Sequence, residues 1–135
     1  MKHLIGLIAL AALASAKAEP CLVGAHLASW HAKPGYEWAT YGVYARSCGG
    51  ATVGALRNSE GRTSVYLAQT WTTADGRWSL TAGGVTGYSS AGLNPLLVPS
   101  VALPLSRRTA ARLSFLPQSH KGGSSALHLS IEFQP

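Results

Sequence analysis

The sequence predicts an all-β fold: an eight-stranded antiparallel up-and-down transmembrane β-barrel that follows a cleavable export signal. Three observations predict it. The chain opens with a secretory leader. After the leader, apolar and polar residues alternate with a period of two in segments separated by turn sequences. Trp and Tyr gather near the ends of those segments, where the interfaces of a bilayer would lie.

The leader consists of Lys2 and His3, an apolar run over 4–13, and the small residues Ala14-Ser15-Ala16-Lys17-Ala18. A positive start, an apolar centre and an A-x-A site make a signal peptide. The run is too short for a spanning helix, which needs about 20 apolar residues. Cleavage is expected after Ala18, with Ala16 the alternative. Residues 1–18 are then the signal and 19–135 a single barrel domain.

The formal charge is +6. Basic chains often bind nucleic acid, but export and the lack of a Lys/Arg cluster argue for no nucleic-acid partner. Anionic lipid head groups suit the destination better. Arg107, Arg108 and Lys121 sit in turn sequences.

The last strand is the clearest. Leu127, Leu129, Ile131 and Phe133 alternate with His128, Ser130 and Glu132. Trp78, Leu80 and Ala82 alternate with Ser79 and Thr81. Ala111, Leu113 and Phe115 alternate with Arg112 and Ser114. Ala39, Tyr41, Val43 and Ala45 alternate with Thr40, Gly42, Tyr44 and Arg46. Turns are marked by Lys33-Pro34-Gly35, Cys48-Gly49-Gly50, Ser59-Glu60-Gly61, Ala74-Asp75-Gly76, Ser106-Arg107-Arg108 and Lys121-Gly122-Gly123. Strands are expected near 22–31, 36–47, 50–58, 63–72, 77–86, 97–105, 109–116 and 125–133. The longest connection falls at 87–96. Most segments approach the roughly 9–11 residues that cross a bilayer at a tilt.

A soluble lipocalin-like barrel would show the same alternation with its oily face inward. Export, the aromatic residues Trp30, Tyr36, Trp38, Trp71 and Trp78, and the amphipathic final strand favour a bacterial outer membrane. Both termini are then expected on the periplasmic side. Strand counting brings His31, Asn58 and Ser59 to the outer rim. Cys21 and Cys48 lie at matching distances from the Pro34-Gly35 turn, so they are expected to face one another at the opposite rim as a disulfide. With the oily face outward, Arg46, Arg112, His128 and Glu132 point into the lumen as a paired polar network. His26 and His120 stand singly; no His/Cys/Asp spacing suggests a metal site, and no cofactor is expected.

Several segments resemble the lipid A palmitoyltransferase (PagP) family of small outer-membrane barrels. Ser29-Trp30-His31-Ala32-Lys33 resembles that family's Trp-His-Ala-Arg segment. Asn58-Ser59 stands where the family has Asp-Ser. Asn94-Pro95-Leu96-Leu97-Val98-Pro99 resembles its Pro-and-Leu run, Leu113-Ser114-Phe115-Leu116-Pro117 its Tyr-Ile-Pro segment, and Glu132-Phe133-Gln134 its Arg-Phe-Gln. The order and spacing carry the likeness across most of the chain after the leader.

The resemblance implies a monomeric, membrane-embedded acyltransferase. It would move an acyl chain from a phospholipid to lipid A (lipopolysaccharide) or a related glycolipid. Its catalytic positions would be His31 as general base, with Asn58 and Ser59. Pro95, Pro99 and Pro117 would weaken the wall where a lipid tail enters. Asn58 replaces the family's Asp, and an amide lacks the charge that steadies an imidazolium. The alternative is a non-catalytic barrel with a structural or binding role. The two differ in the lumen: an enzyme needs an apolar slot beneath His31, with Gly54 and Leu56 as candidate lining, whereas a structural barrel is filled throughout by the Arg/Glu network.

Overall fold

A computed structural model describes residues 20–89, 92–118 and 123–135. The expected signal peptide, His120 and Lys121 lie outside them. The chain forms eight strands: β1 (Leu22–His31), β2 (Ala39–Arg46), β3 (Ala51–Arg57), β4 (Thr63–Thr72), β5 (Trp78–Val85), β6 (Asn94–Pro104), β7 (Thr109–Leu116) and β8 (Ala126–Phe133). Each pairs antiparallel with the next, and β8 closes on β1. The predicted eight-stranded up-and-down barrel is the fold observed.

Three strands occupy the predicted residues, and most of the others differ by one to three at an end. β6 begins at Asn94 rather than 97, so it contains Pro95. The longest predicted connection shortens to 86–93. Proline reads as a strand breaker because it donates no ladder hydrogen bond; in β6 it is tolerated for a reason given below. The turns carry the expected glycines. Gly50 has φ 95°, and a Cβ there would collide with the backbone carbonyl of Thr70.

Alternation sorts the side chains as a barrel wall requires. Val43, Leu67, Leu80, Leu97, Phe115 and Leu127 are exposed on the outside. The four tryptophans also face out, in two groups. Trp30 and Trp38 (54% and 63% exposed) lie towards the end of the barrel that carries His31, here the upper rim. Trp71 and Trp78 (55% and 58%) lie towards the lower rim, where the strands nearest the termini begin and end. An apolar belt between two aromatic groups results. Tyr36, expected among them, turns inward instead and stacks on His31, with ring centroids 4.9 Å apart.

Cys21 and Cys48 are joined at the lower rim, Cα–Cα 5.1 Å, as the hairpin spacing predicts. Cross-linking a loop of about 28 residues contributes roughly 3–4 kcal/mol by restricting the unfolded chain.

Buried polar groups fill the lower lumen. Glu132 is the hub. Its carboxylate accepts Arg112 Nε (2.6 Å) and Nη2 (3.0 Å) in a bidentate pair, and the Tyr44 hydroxyl (2.6 Å). Arg46 Nη2 stands 3.7 Å away. Arg112 Nη1 donates to Ser79 and Ser100. Thr52, Thr70 and Thr81 share a ladder of hydroxyl contacts across three strands. A carboxylate shared by two guanidinium groups and a phenol meets the need of buried charge for partners. Of the four residues expected in this network, His128 is the exception: it joins a different cluster higher in the lumen.

Two glycines make room for the lumen's tyrosines. Gly24 lies directly opposite Tyr44, and Gly54 opposite Tyr66. A Cβ on either glycine would run into the facing ring. Gly54 is therefore the seat of the Tyr66 ring, while Leu56, two residues on, lines the chamber described next.

Candidate functional site

Above the Glu132 network the lumen opens into a chamber of about 450 Å³. That lies in the range of small-molecule sites, roughly 300–1,000 Å³. One wall is apolar: Leu56, Val85, Leu96, Val98 and Leu116. The other carries Ser29, Thr40, His26 and His128, and the floor is made by Tyr44, Arg46 and Arg112. His31, Tyr36, Asn58 and Ser59 line the mouth.

His31 reaches the mouth because of an irregularity in β1. The register against both β2 and β8 shifts between His26 and Ala28. Against β8 the two steps from His26 to Ala28 match the single step from Ser130 to Leu129, so Leu27 bulges there, and against β2 they match the three steps from Gly42 to Ala39; the odd shift reverses the alternation of β1 above Leu27. Strict alternation from His26 would send Trp30 inward and His31 outward. With the bulge, Ser29 and His31 follow His26 into the lumen and Trp30 faces out.

Asn58 and Ser59 open the 58–62 turn. Asn58 is fully buried (0% exposed) and its amide is spent within the fold. Nδ2 donates to Ser64 Oγ (2.9 Å) and to the Gly87 carbonyl (3.0 Å). Oδ1 accepts the backbone N–H groups of Glu60 and Arg62, both at 3.0 Å. Asn58 thus fixes the turn that presents Ser59 to the chamber. Ser59 is also held through its backbone carbonyl, which accepts Glu37 N–H (2.9 Å). The structure brings His31 and Ser59 to one mouth; no hydrogen bond joins them.

These contacts predict the effect of Asn58→Asp, which installs a carboxylate. The oxygen replacing Nδ2 would face the Gly87 carbonyl, acceptor to acceptor, although the Ser64 hydroxyl can turn to donate to it, and the buried carboxylate would carry an unpaired charge. We expect a loss of about 1–3 kcal/mol, measured as a lower urea midpoint of the refolded barrel. An unchanged midpoint would contradict the structural role given to this amide.

The wall has a gap beside the chamber. β6 pairs with β7 only from Ser100↔Ser114 to Pro104↔Ala110, so the upper part of the seam has no ladder. Backbone polar groups of successive residues in an antiparallel strand face alternate neighbours. Ala102 N donates on the β5 side, to Arg77 O, so Pro95 and Pro99 turn their nitrogens to β7. Thr109 O accepts from Leu105 and Ser106 on the β6 side, so the same phase, continued, turns Pro117 to β6. All three prolines delete donors from one seam. Their tolerance in the wall follows: β6 remains paired with β5 past Pro95 and Pro99. Leu97, outward-facing, still borders the chamber, which therefore reaches the outside of the barrel here.

His26, which stands singly in the sequence, lies 2.7 Å from His128, Nδ1 to Nε2. His128 Nδ1 contacts Ser29 Oγ at 2.7 Å, and His26 Nε2 contacts the Tyr66 hydroxyl at 2.9 Å. The signal that would reveal this line is the odd spacing of His26 and His31: both face the lumen only if a bulge intervenes.

Neither a scan of protein-family models nor searches of curated proteins and of solved structures gave a match to this chain.

Proposed function

We propose that this protein is a bacterial outer-membrane acyltransferase that moves a fatty acyl chain from a phospholipid to lipid A or a related glycolipid. The chamber beneath His31 carries the proposal. A barrel with only a structural role has no need of an apolar slot, and here the charged network is confined to the lower lumen. The exposed apolar belt with tryptophan at both ends suits a bilayer. The open β6–β7 seam gives a lipid tail a sideways route into the chamber. The resemblance of the Trp30-His31-Ala32, Asn58-Ser59 and proline-bearing segments to lipid A palmitoyltransferases points to the same chemistry.

In this mechanism the donor's acyl chain lies along Leu56, Val85, Leu96, Val98 and Leu116, with its ester at the mouth. His31 removes the proton of an acceptor hydroxyl as that oxygen attacks the ester carbonyl. The Ser59 hydroxyl donates to the oxyanion that forms. Collapse of the tetrahedral intermediate breaks the C–O bond to the donor, and the lysophospholipid leaves with the proton from His31. Asn58 acts through Ser59 by fixing its turn.

The test is transfer by detergent-refolded protein from radiolabelled phospholipid to lipid A. Labelled, acyl-enriched lipid A supports the reading. No transfer from a folded barrel, across donors of several chain lengths and several glycolipid acceptors, would overturn it and favour a non-catalytic structural or binding barrel.

A further inference from the structure

The proposed mechanism leaves the line Ser29–His128–His26–Tyr66 without a task. It crosses the lumen from β8 and β1 to β4. One buried imidazole, His128, and one half-buried, His26, are an expensive way to fill a lumen, since buried polar groups must find partners and apolar side chains need none. The bulge at Leu27 is what places Ser29 and His26 on the same side of the wall.

The line has a consistent polarity. With Ser29 Oγ–H donating to His128 Nδ1, His128 Nε2–H donates to His26 Nδ1 and His26 Nε2–H donates to the Tyr66 oxygen. Each imidazole is then a neutral tautomer, and the basic nitrogen of His128 is aimed at a hydroxyl. A base on the hydroxyl, with a further group orienting the base, is the arrangement that activates a serine nucleophile. Thr40 Oγ1 lies 3.0 Å from Ser29 Oγ. Ser29, Thr40 and His128 border the chamber opposite its apolar wall.

We propose that Ser29 is a nucleophile and that the barrel forms a covalent acyl-serine from long-chain oxygen esters. Ser29 Oγ attacks the ester carbonyl carbon while its proton passes to His128 Nδ1. The His128 imidazolium keeps its hydrogen bond to His26, and the Thr40 hydroxyl donates to the oxyanion. The intermediate collapses with cleavage of the C–O bond to the alcohol, which departs with the proton from His128. The acyl group remains on Ser29. A second hydroxyl, from water or an acceptor alcohol, then gives its proton to His128 and attacks the acyl-serine. Ser29 recovers its proton from His128 as the new acid or ester leaves. This goes beyond transfer to lipid A: it needs an ester donor, and neither His31 nor a glycolipid.

The test treats the refolded, disulfide-bonded protein with a long-chain alkyl fluorophosphonate, which phosphonylates activated serines, and maps the adduct by peptide mass spectrometry. We expect one adduct, on Ser29. Labelling should slow at least ~100-fold in His128→Gln, the usual scale of a lost general base. It should vanish in Ser29→Ala, with folding checked by circular dichroism and by the altered gel mobility of an intact barrel. The wild-type map decides the matter even where a variant does not fold. As a second measurement, p-nitrophenyl laurate mixed rapidly with the protein and quenched in acid should leave a lauroyl mass increment on the Ser29 peptide. An adduct on Ser59, or no adduct on a folded barrel, overturns the proposal. Transfer to lipid A without any Ser29 adduct overturns it while leaving the transferase reading in place. A Ser29 adduct without transfer supports it and removes that reading.

Discussion

His31→Ala is expected to lower acyl transfer by roughly 10²–10⁴-fold, the usual contribution of a general base. The loss should appear in kcat with the KM for phospholipid little changed. In the proposed mechanism His31 acts on a proton in flight, whereas the apolar wall below it would hold the donor. The residue is half-exposed at the end of β1 and stacked on Tyr36, so its removal should leave the barrel intact. Initial rates over a range of phospholipid concentrations, with the unfolding midpoint measured in parallel, make the check. Retention of full activity by the folded variant would remove His31 from the mechanism.

The second large effect is structural. Glu132→Gln keeps the shape of the hub and removes its charge. Arg112 and Arg46 would then lie in the lumen without a carboxylate, and the Tyr44 hydroxyl would lose its strong acceptor. Breaking one side of a buried ion pair costs about 3–5 kcal/mol. We expect a loss of that size in urea unfolding of the barrel in lipid vesicles. Adding Arg112→Met should recover part of it, because the stranded guanidinium goes too; contacting residues are not additive. A Glu132→Gln barrel as stable as the wild type would show that the guanidinium groups find water or other acceptors.

Much of this architecture was legible in the residues. The alternation in β2, β5, β7 and β8 encodes their lumen faces, because one wrong step would turn oily side chains to the wrong side, whereas of these four only β7 has the expected ends and β2 begins three residues late, at Ala39. The Pro34-Gly35 turn set the hairpin that pairs Cys21 with Cys48. β6 was harder. Pro95 and Pro99 break the pattern of a fully paired strand, and only the seam with β7 shows that the missing donors had no partner to lose. Asn58 looked like a substituted catalytic acid because it stands beside Ser59 in chain order. The two hydrogen bonds accepted by its Oδ1 are local to the 58–62 turn, but the two donated by Nδ2 depend on the return of β4 at Ser64 and on the 86–93 loop at Gly87, which no local pattern encodes. The histidine line was hidden for the same reason. His26 and His128 are separated by nearly the whole domain and meet because β8 closes on β1, while the register shift at Leu27 brings Ser29 onto His128.

The Glu132 network has one more consequence. Guanidinium, carboxylate and phenol groups occupy the lumen at the lower end and bind one another, while among the described residues the chamber above them has its mouth at His31 and a side opening at the β6–β7 seam. The molecule is a cup and not a tube. Set in a bilayer, such a packed floor would oppose the passage of ions along the lumen, as expected of a barrel that holds a ligand rather than conducts.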